Sequence, residues 1–164
     1  MPPLPPEQLA ACVKALEQLE PGFLPLEVFN AIARLVRLPT VQLIPIKEGP
    51  PLSIGIVKRD AEEAWWPNVW HFAGTVLRST DTIESAIERL KEKELQLENS
   101  SPPVFRGVSV HHSTRGAEAV LIYTIADCSF KDSEAVGWFP ANELPENFLE
   151  SEKNVLAKLR EAGL

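Results

Sequence analysis

From Glu7 to Val36 the apolar positions recur every third or fourth residue. Leu9, Cys12, Val13, Leu16 and Leu19 form one such stripe, ended by Pro21-Gly22. Val28, Phe29, Ile32, Leu35 and Val36 form a second, opened by Pro25 and closed by Pro39. The period then shortens. "TVQLIPI" and "LSIGIVKR" are short β-branched runs joined by "KEGPP", which together predict a hairpin. "WWPNVWHF" reads as extended, with Trp70 and Phe72 on one face and His71 on the other. A helical pattern returns from Thr80 to about Leu95, and the spacing of Asp81 and Glu84 fits a capping box at its start. "VFRGVSVHH" and "AEAVLIYTIA" predict strands around the turn "STRG"; "VGWF" predicts a short strand after the polar loop "FKDSEA". "ESEKNVLAKLREA" closes the chain as a helix. This order fits hairpins in a mixed sheet with helices packed on it.

One position breaks the pattern. Ile83, Ala86, Ile87 and Leu90 form the apolar stripe of the central helix, and four residues further on the stripe reaches Glu94. The rest of that surface is polar, with Glu84, Glu88, Arg89, Lys91, Glu92 and Lys93. Glu94 therefore aims at the body of the protein or the rim of a cleft. A carboxylate there must be paired, hydrogen-bonded, protonated or bound to a metal. Two readings stay open: an ion pair with Arg78, Arg89 or Arg115, or a functional acid.

Composition narrows the partners. The chain has 164 residues, is 45% hydrophobic and carries a net charge of −7. Its length suits one domain with a sizeable core. The acidic balance argues against general nucleic-acid binding, because neutralising phosphates dominates that affinity. It leaves room for an anionic small ligand at a locally cationic site. Cys12 and Cys128 lack the spacing of a zinc or redox motif and read as buried, reduced thiols. "MPPLPPEQLA" has neither the basic region nor the apolar run of a signal peptide, and no stretch is long enough to cross a bilayer. No membrane association is expected, and the cytoplasm is the expected location.

The segment from Trp70 to Leu97 resembles the core motif of the Nudix hydrolases. That motif runs glycine, five residues, glutamate, seven residues, arginine-glutamate, an apolar residue, any residue, two glutamates, any residue, glycine, apolar. Arg89 falls on its arginine, Glu94 on its last glutamate and Leu97 on its closing apolar position; Asp81 stands for the early glutamate. Thr75 stands at the first glycine, with Gly74 just before it. Leu90, Lys93 and Gln96 replace a glutamate, a glutamate and the late glycine. The form is most similar to the GDP-mannose hydrolase type, which keeps a strand tryptophan before the loop and only the last helix glutamate. "WWPNVWHFAG", "RGAEAVLIY" and "VGWFPANELPE" extend the resemblance from about Thr40 to Pro145.

The resemblance implies an α/β fold: a Nudix-like α/β/α sandwich with a mixed sheet over 39–164, preceded by a helical extension over 1–38. It implies a Mg²⁺- or Mn²⁺-dependent hydrolase of a nucleoside diphosphate derivative or related diphosphate. Glu94, the carbonyl of Gly74 and Asp132 of the late loop would hold the metal. Glu94, Arg89 and Glu134 would form the catalytic set, with Glu118 a second candidate base. Arg78 and Arg115 are candidates to grip phosphate, and Trp70 to stack on a base or sugar. The competing class is a binding module that keeps the cleft and has lost turnover. The apolar face of the second helix adds a self-association surface, and with it a homodimer.

Overall fold

Ten mostly apolar and β-branched residues, Leu38–Lys47, form the central strand β1, buried along nearly its whole length. The computed structural model describes residues 4–22, 24–112, 116–131 and 134–164. Two helices come first, α1 (Pro6–Glu17) and α2 (Leu26–Ala33), each entered through a proline. β2 (Ser53–Lys58), β3 (Trp70–His71) and β4 (Ala73–Val76) follow β1. Next come α3 (Ile83–Arg89), continued by a π-helical turn over Leu90–Glu94, and β5 (Leu97–Asn99). β6 (Val104–His112), β7 (Ala117–Ile125), β8 (Ser129–Phe130), β9 (Val136–Pro140) and α4 (Lys153–Glu161) complete the chain. Among the described residues no helix is long and apolar enough to cross a membrane.

The sheet runs β3-β2-β1-β7-β6, with β4 added to β1 and β9 to β2. β1 and β7 are parallel, in register from Leu38↔Glu118 to Pro45↔Ile125; the other pairs are antiparallel, so the sheet is mixed. Side chains of β1 alternate between two cores. Val41 and Leu43 pack with Ala86, Ile87, Leu90 and Leu95 on the α3 side. Ile44 and Ile46 pack with Phe72, Phe148, Val155 and Leu159 on the α4 side. The sheet is thus the middle layer of an α/β/α arrangement, as the sequence predicts.

One edge of β1 serves two partners. Thr40 to Leu43 pair with β4, whereas Ile46 and Lys47 pair with β2. The strand from Trp70 to Val76 therefore changes neighbours midway: its first part lies on β2 and its second on β1. Such a crossing opens a wedge in the sheet, and the cleft described below lies in it.

Two sequence expectations need correction. Asp81 is not the helix cap. Its carboxylate is taken by Arg89 and by the Arg78 N–H, and the free hydroxyl of Thr82 caps instead: Ser85 N–H donates to Thr82 Oγ1 at 3.1 Å and Thr82 N–H donates to Ser85 Oγ at 3.0 Å. Cys12 is an exposed free thiol, because α1 buries none of its residues. The apolar sides of α1 and α2 instead line a hollow of about 660 Å³ over Leu38, Leu77 and Arg78. The stretch after Phe72 forms β4, a full pairing partner for β1.

Candidate functional site

Alternate residues of a strand point their N–H groups to one side. Along the crossing strand, Trp70, Phe72 and Gly74 form such a series, and each finds a different acceptor. Trp70 N–H donates to the Asn147 carbonyl at 3.2 Å. Phe72 N–H donates to Glu152 Oε2 at 2.6 Å, and Gly74 N–H donates to Glu94 Oε2 at 3.3 Å. Two carboxyl groups thus complete a strand edge that no strand covers.

Glu94 reaches this edge because of the π turn. A π turn takes one more residue than an α turn, so Leu95 N–H bonds back to the Leu90 carbonyl at 2.9 Å. Leu90 and Leu95 are both fully buried, and Glu94 sits beside them at the wall of a cleft. The turn ends at Gln96, whose φ of 49° is left-handed. That is the conformation glycine favours after a helix, and Gln96 stands at the position of the resembled motif's late glycine. The geometry is kept although the residue is not.

The cleft encloses about 280 Å³ between Val57, Arg59, His71, Gly74, Glu94 and Ala135. Burial pushes the Glu94 carboxyl up to about 7; the Gly74 N–H and the nearby charges of Arg59 and Arg89 only partly oppose this, and Glu63 adds to it. Glu94 forms no salt bridge among the described residues; its interactions there are the Gly74 hydrogen bond and those longer-range charges. Its second oxygen, Oε1, accepts no hydrogen bond there. A strand residue turns its N–H and C=O to the same side, so the Gly74 carbonyl faces this edge as well.

Arg89 does a different task from pairing with Glu94. Its guanidinium grips Asp81 with both arms, Nη1 to Oδ1 at 2.8 Å and Nη2 to Oδ2 at 2.7 Å, and reaches Thr75 Oγ1 at 3.3 Å. The pair ties the loop between β4 and α3 to the helix, and the Arg89 hydrogen bonds hold the Asp81 carboxyl down at about 2.

The other candidates are dispersed. Glu134 is exposed and directly precedes Ala135, a lining residue of the cleft. Arg78 lines the hollow under the N-terminal helices. Trp70 packs edge-on against Phe139, ring centroids 5.0 Å apart, behind the crossing strand. Glu118 is buried on β7, accepting from Thr40 Oγ1 at 3.1 Å, with His111 Nε2 at 4.0 Å. His111 is buried and His112 exposed, as strand alternation requires. Asp132 and Arg115 lie outside the described residues. The structure thus brings Glu94 and Gly74 together at the cleft, with Arg89 buttressing the loop beside them.

Glu152 and Arg59 were not singled out from the sequence. Glu152 is buried, accepts from Gln42 Nε2 at 2.8 Å besides Phe72, and burial lifts its carboxyl to about 8. A signal for it exists: it lies three residues before Val155 and seven before Leu159, on the buried stripe of α4, so the argument that exposed Glu94 applies to it. Arg59, just beyond β2, has no such signal.

No family model matches the sequence, and no curated protein matches it. Solved structures do match. A MutT Nudix hydrolase from Burkholderia pseudomallei superposes with a TM-score of 0.62 at 19% identity, over 76% of this chain and 98% of that one. The Nudix domain of Shewanella oneidensis NrtR, solved with ADP-ribose, gives 0.61 at 14% identity, over 93% of this chain and 98% of that one. A MutT/Nudix family protein from Listeria innocua gives 0.56 at 22% identity, over 76% and 92%. The chain has the Nudix fold. Within that fold, the β4–α3 loop, α3 and its π turn form the segment that resembles the Nudix motif, and Glu94 is the acid of that segment that faces the cleft.

Proposed function

We propose that the chain is a Nudix-type hydrolase of a small diphosphate-containing ligand, with the Glu94 cleft as its active site. One observation carries this reading: Glu94 and Gly74 meet at the cleft wall, and one carboxyl oxygen has no hydrogen-bond partner among the described residues. The ADP-ribose complex of the NrtR Nudix domain supports the ligand class. The resemblance to the GDP-mannose hydrolase type makes nucleoside diphosphate sugars the first compounds to try.

Among the described residues no group of three or more His, Cys, Asp or Glu side chains could hold a metal. A hard divalent ion such as Mg²⁺ often takes only one or two protein carboxylates and completes its shell with phosphate and water. Glu94, whose Oε1 accepts no hydrogen bond among the described residues, and the Gly74 carbonyl fit that modest role, joined in this proposal by Asp132. Mg²⁺ or Mn²⁺ bound there would neutralise diphosphate charge and acidify an attacking water. Arg89 would keep the loop carrying Gly74 in place, and Glu134, next in sequence to the cleft-lining Ala135, is the proposed base. The alternative of a silent binding module draws support from Lys93, a cation lining the cleft where the resembled motif has a glutamate.

In this proposal residues 1–38 are an extension outside the cleft. The exposed apolar side chains of α1 and α2, among them Leu9, Val13, Leu16 and Leu26, support self-association into a homodimer. The acidic chain with no general nucleic-acid affinity is assigned to the cytoplasm. The test is a screen of nucleoside diphosphate sugars and dinucleotides with Mg²⁺ or Mn²⁺, using wild type and Glu94→Gln. Turnover that disappears in the variant is the expected result. Equal turnover by both proteins rules out the site; saturable binding with no product from any compound points to the module.

A further inference from the structure

Arg59 is the cation best placed to receive an anion in this cleft, and the assignment below rests on the proposal that the cleft takes a diphosphate. Its backbone is fixed just past β2, where Arg59 N–H donates to the Val69 carbonyl at 3.0 Å. Its side chain is mostly buried, at 18% exposure, and is braced on two sides. Nη1 meets Glu63 Oε2 at 3.3 Å, and the guanidinium lies 5.6 Å from the centre of the Trp66 ring. Among the described residues its buried Nε has no hydrogen-bond partner. A buried guanidinium N–H without an acceptor is costly, so the hydrogen-bonding capacity of Arg59 is not filled by these two neighbours.

The surroundings leave that charge available. Glu94 and Glu152 both lie within electrostatic reach of Arg59. Among the described residues both carboxyls are hydrogen-bonded elsewhere, Glu94 by the Gly74 N–H and Glu152 by the Phe72 N–H and Gln42 Nε2, and neither forms a salt bridge with Arg59. Glu63, its direct partner, is about half exposed and shields it weakly. The lining of the cleft carries three cations, Lys58, Arg59 and Lys93, beside three acids, Asp60, Glu63 and Glu94, in a chain whose net charge is −7.

We propose that Arg59 is the phosphate-binding residue of the cleft, assisted by Lys93, and that a diphosphate is held there by side-chain charge with no divalent ion. Arginine's planar fork suits phosphate oxygens, and bracing by Glu63 and Trp66 lowers the entropy lost on binding. Any divalent ion at Glu94 then serves turnover rather than capture.

The test is calorimetric titration of inorganic pyrophosphate and of ADP, each in EDTA and in Mg²⁺. The proteins are wild type, Arg59→Gln, Arg59→Lys, Lys93→Gln and, as a surface control, Lys158→Gln. Wild type and the control are expected to bind at least one probe in EDTA. Arg59→Gln should bind on the order of tenfold or more weakly, with Arg59→Lys between and Lys93→Gln losing a smaller factor. Circular dichroism checks folding; should Arg59→Gln not fold, Arg59→Lys and exposed Lys93→Gln decide. Wild-type binding that requires Mg²⁺, or Arg59 variants that bind like wild type, overturns this assignment alone. Wild type that binds neither probe in either buffer overturns the diphosphate reading and this assignment with it.

Discussion

Glu94 shows how one residue can be legible while its environment is not. Its place on an apolar stripe is visible in the chain; its Gly74 partner and its carboxyl held near 7 depend on the strand brought against it. In the proposed reaction the ionised form would bind the metal, so metal-dependent kcat/KM should rise with pH through about 7, since the free-enzyme profile reports this group. A profile with no limb between about pH 6 and pH 8 would remove Glu94 from the reaction. Gln96 makes a second residue-scale point. Its left-handed backbone costs a side-chain residue about 1–2 kcal/mol, partly offset by the chain entropy a glycine adds. Gln96→Gly is therefore expected to raise stability by up to about 1 kcal/mol, read as a higher urea midpoint at unchanged m-value. Glu152 was legible by the same stripe rule as Glu94, whereas Arg59 stands alone in sequence and acquires its meaning only from Glu63, Trp66 and the cleft.

Periodicity placed the helix from the early eighties to the mid nineties, and the structure agrees at the level of the element. It could not show the π turn, because five-residue spacing from Leu90 to Leu95 looks like a slip in an α pattern. That turn buries Leu95 and holds Glu94 to the edge together. Leu95→Ala should cost about 2–5 kcal/mol in chemical denaturation, the range for a fully buried leucine that leaves a cavity. Arg89 acts on the adjoining loop. Arg89→Ala leaves partly buried Asp81 without its two charged hydrogen bonds and should cost about 1–3 kcal/mol. Arg89→Lys should recover only part of this, as it keeps the charge and loses the fork. Faster hydrogen exchange between Leu77 and Thr82 in both variants is the local signature; unchanged exchange there would show that the pair does not hold the loop.

For the whole molecule, the wedge at β1 sets where chemistry can occur. Because β1 gives one edge to both β4 and β2, the crossing strand leaves N–H groups that Glu94 and Glu152 take from opposite faces of the sheet. Glu152 also gives global stability a pH dependence. Its folded carboxyl titrates near 8 against an ordinary value of 4.5, chiefly through burial. The folded protein then holds this proton more tightly than the unfolded chain. The stabilisation is fully present below pH 4.5 and is lost as pH rises through about 8. Denaturation midpoints of wild type should therefore fall relative to Glu152→Gln between those limits. Parallel pH profiles for the two proteins would show that Glu152 does not carry the slope.

Alternation and helical spacing by themselves determined the order of the main elements, the mixed sheet between helices and the inward aim of Glu94, because burial imposes a local period on any chain that folds. Tertiary structure alone decided that Arg89 grips Asp81, that Thr82 rather than Asp81 caps α3, and that Glu94 and Glu152 both accept from N–H groups of the one crossing strand. These are choices among partners distant in sequence. They follow from which groups the sheet crossing leaves unpaired, and no local period encodes that.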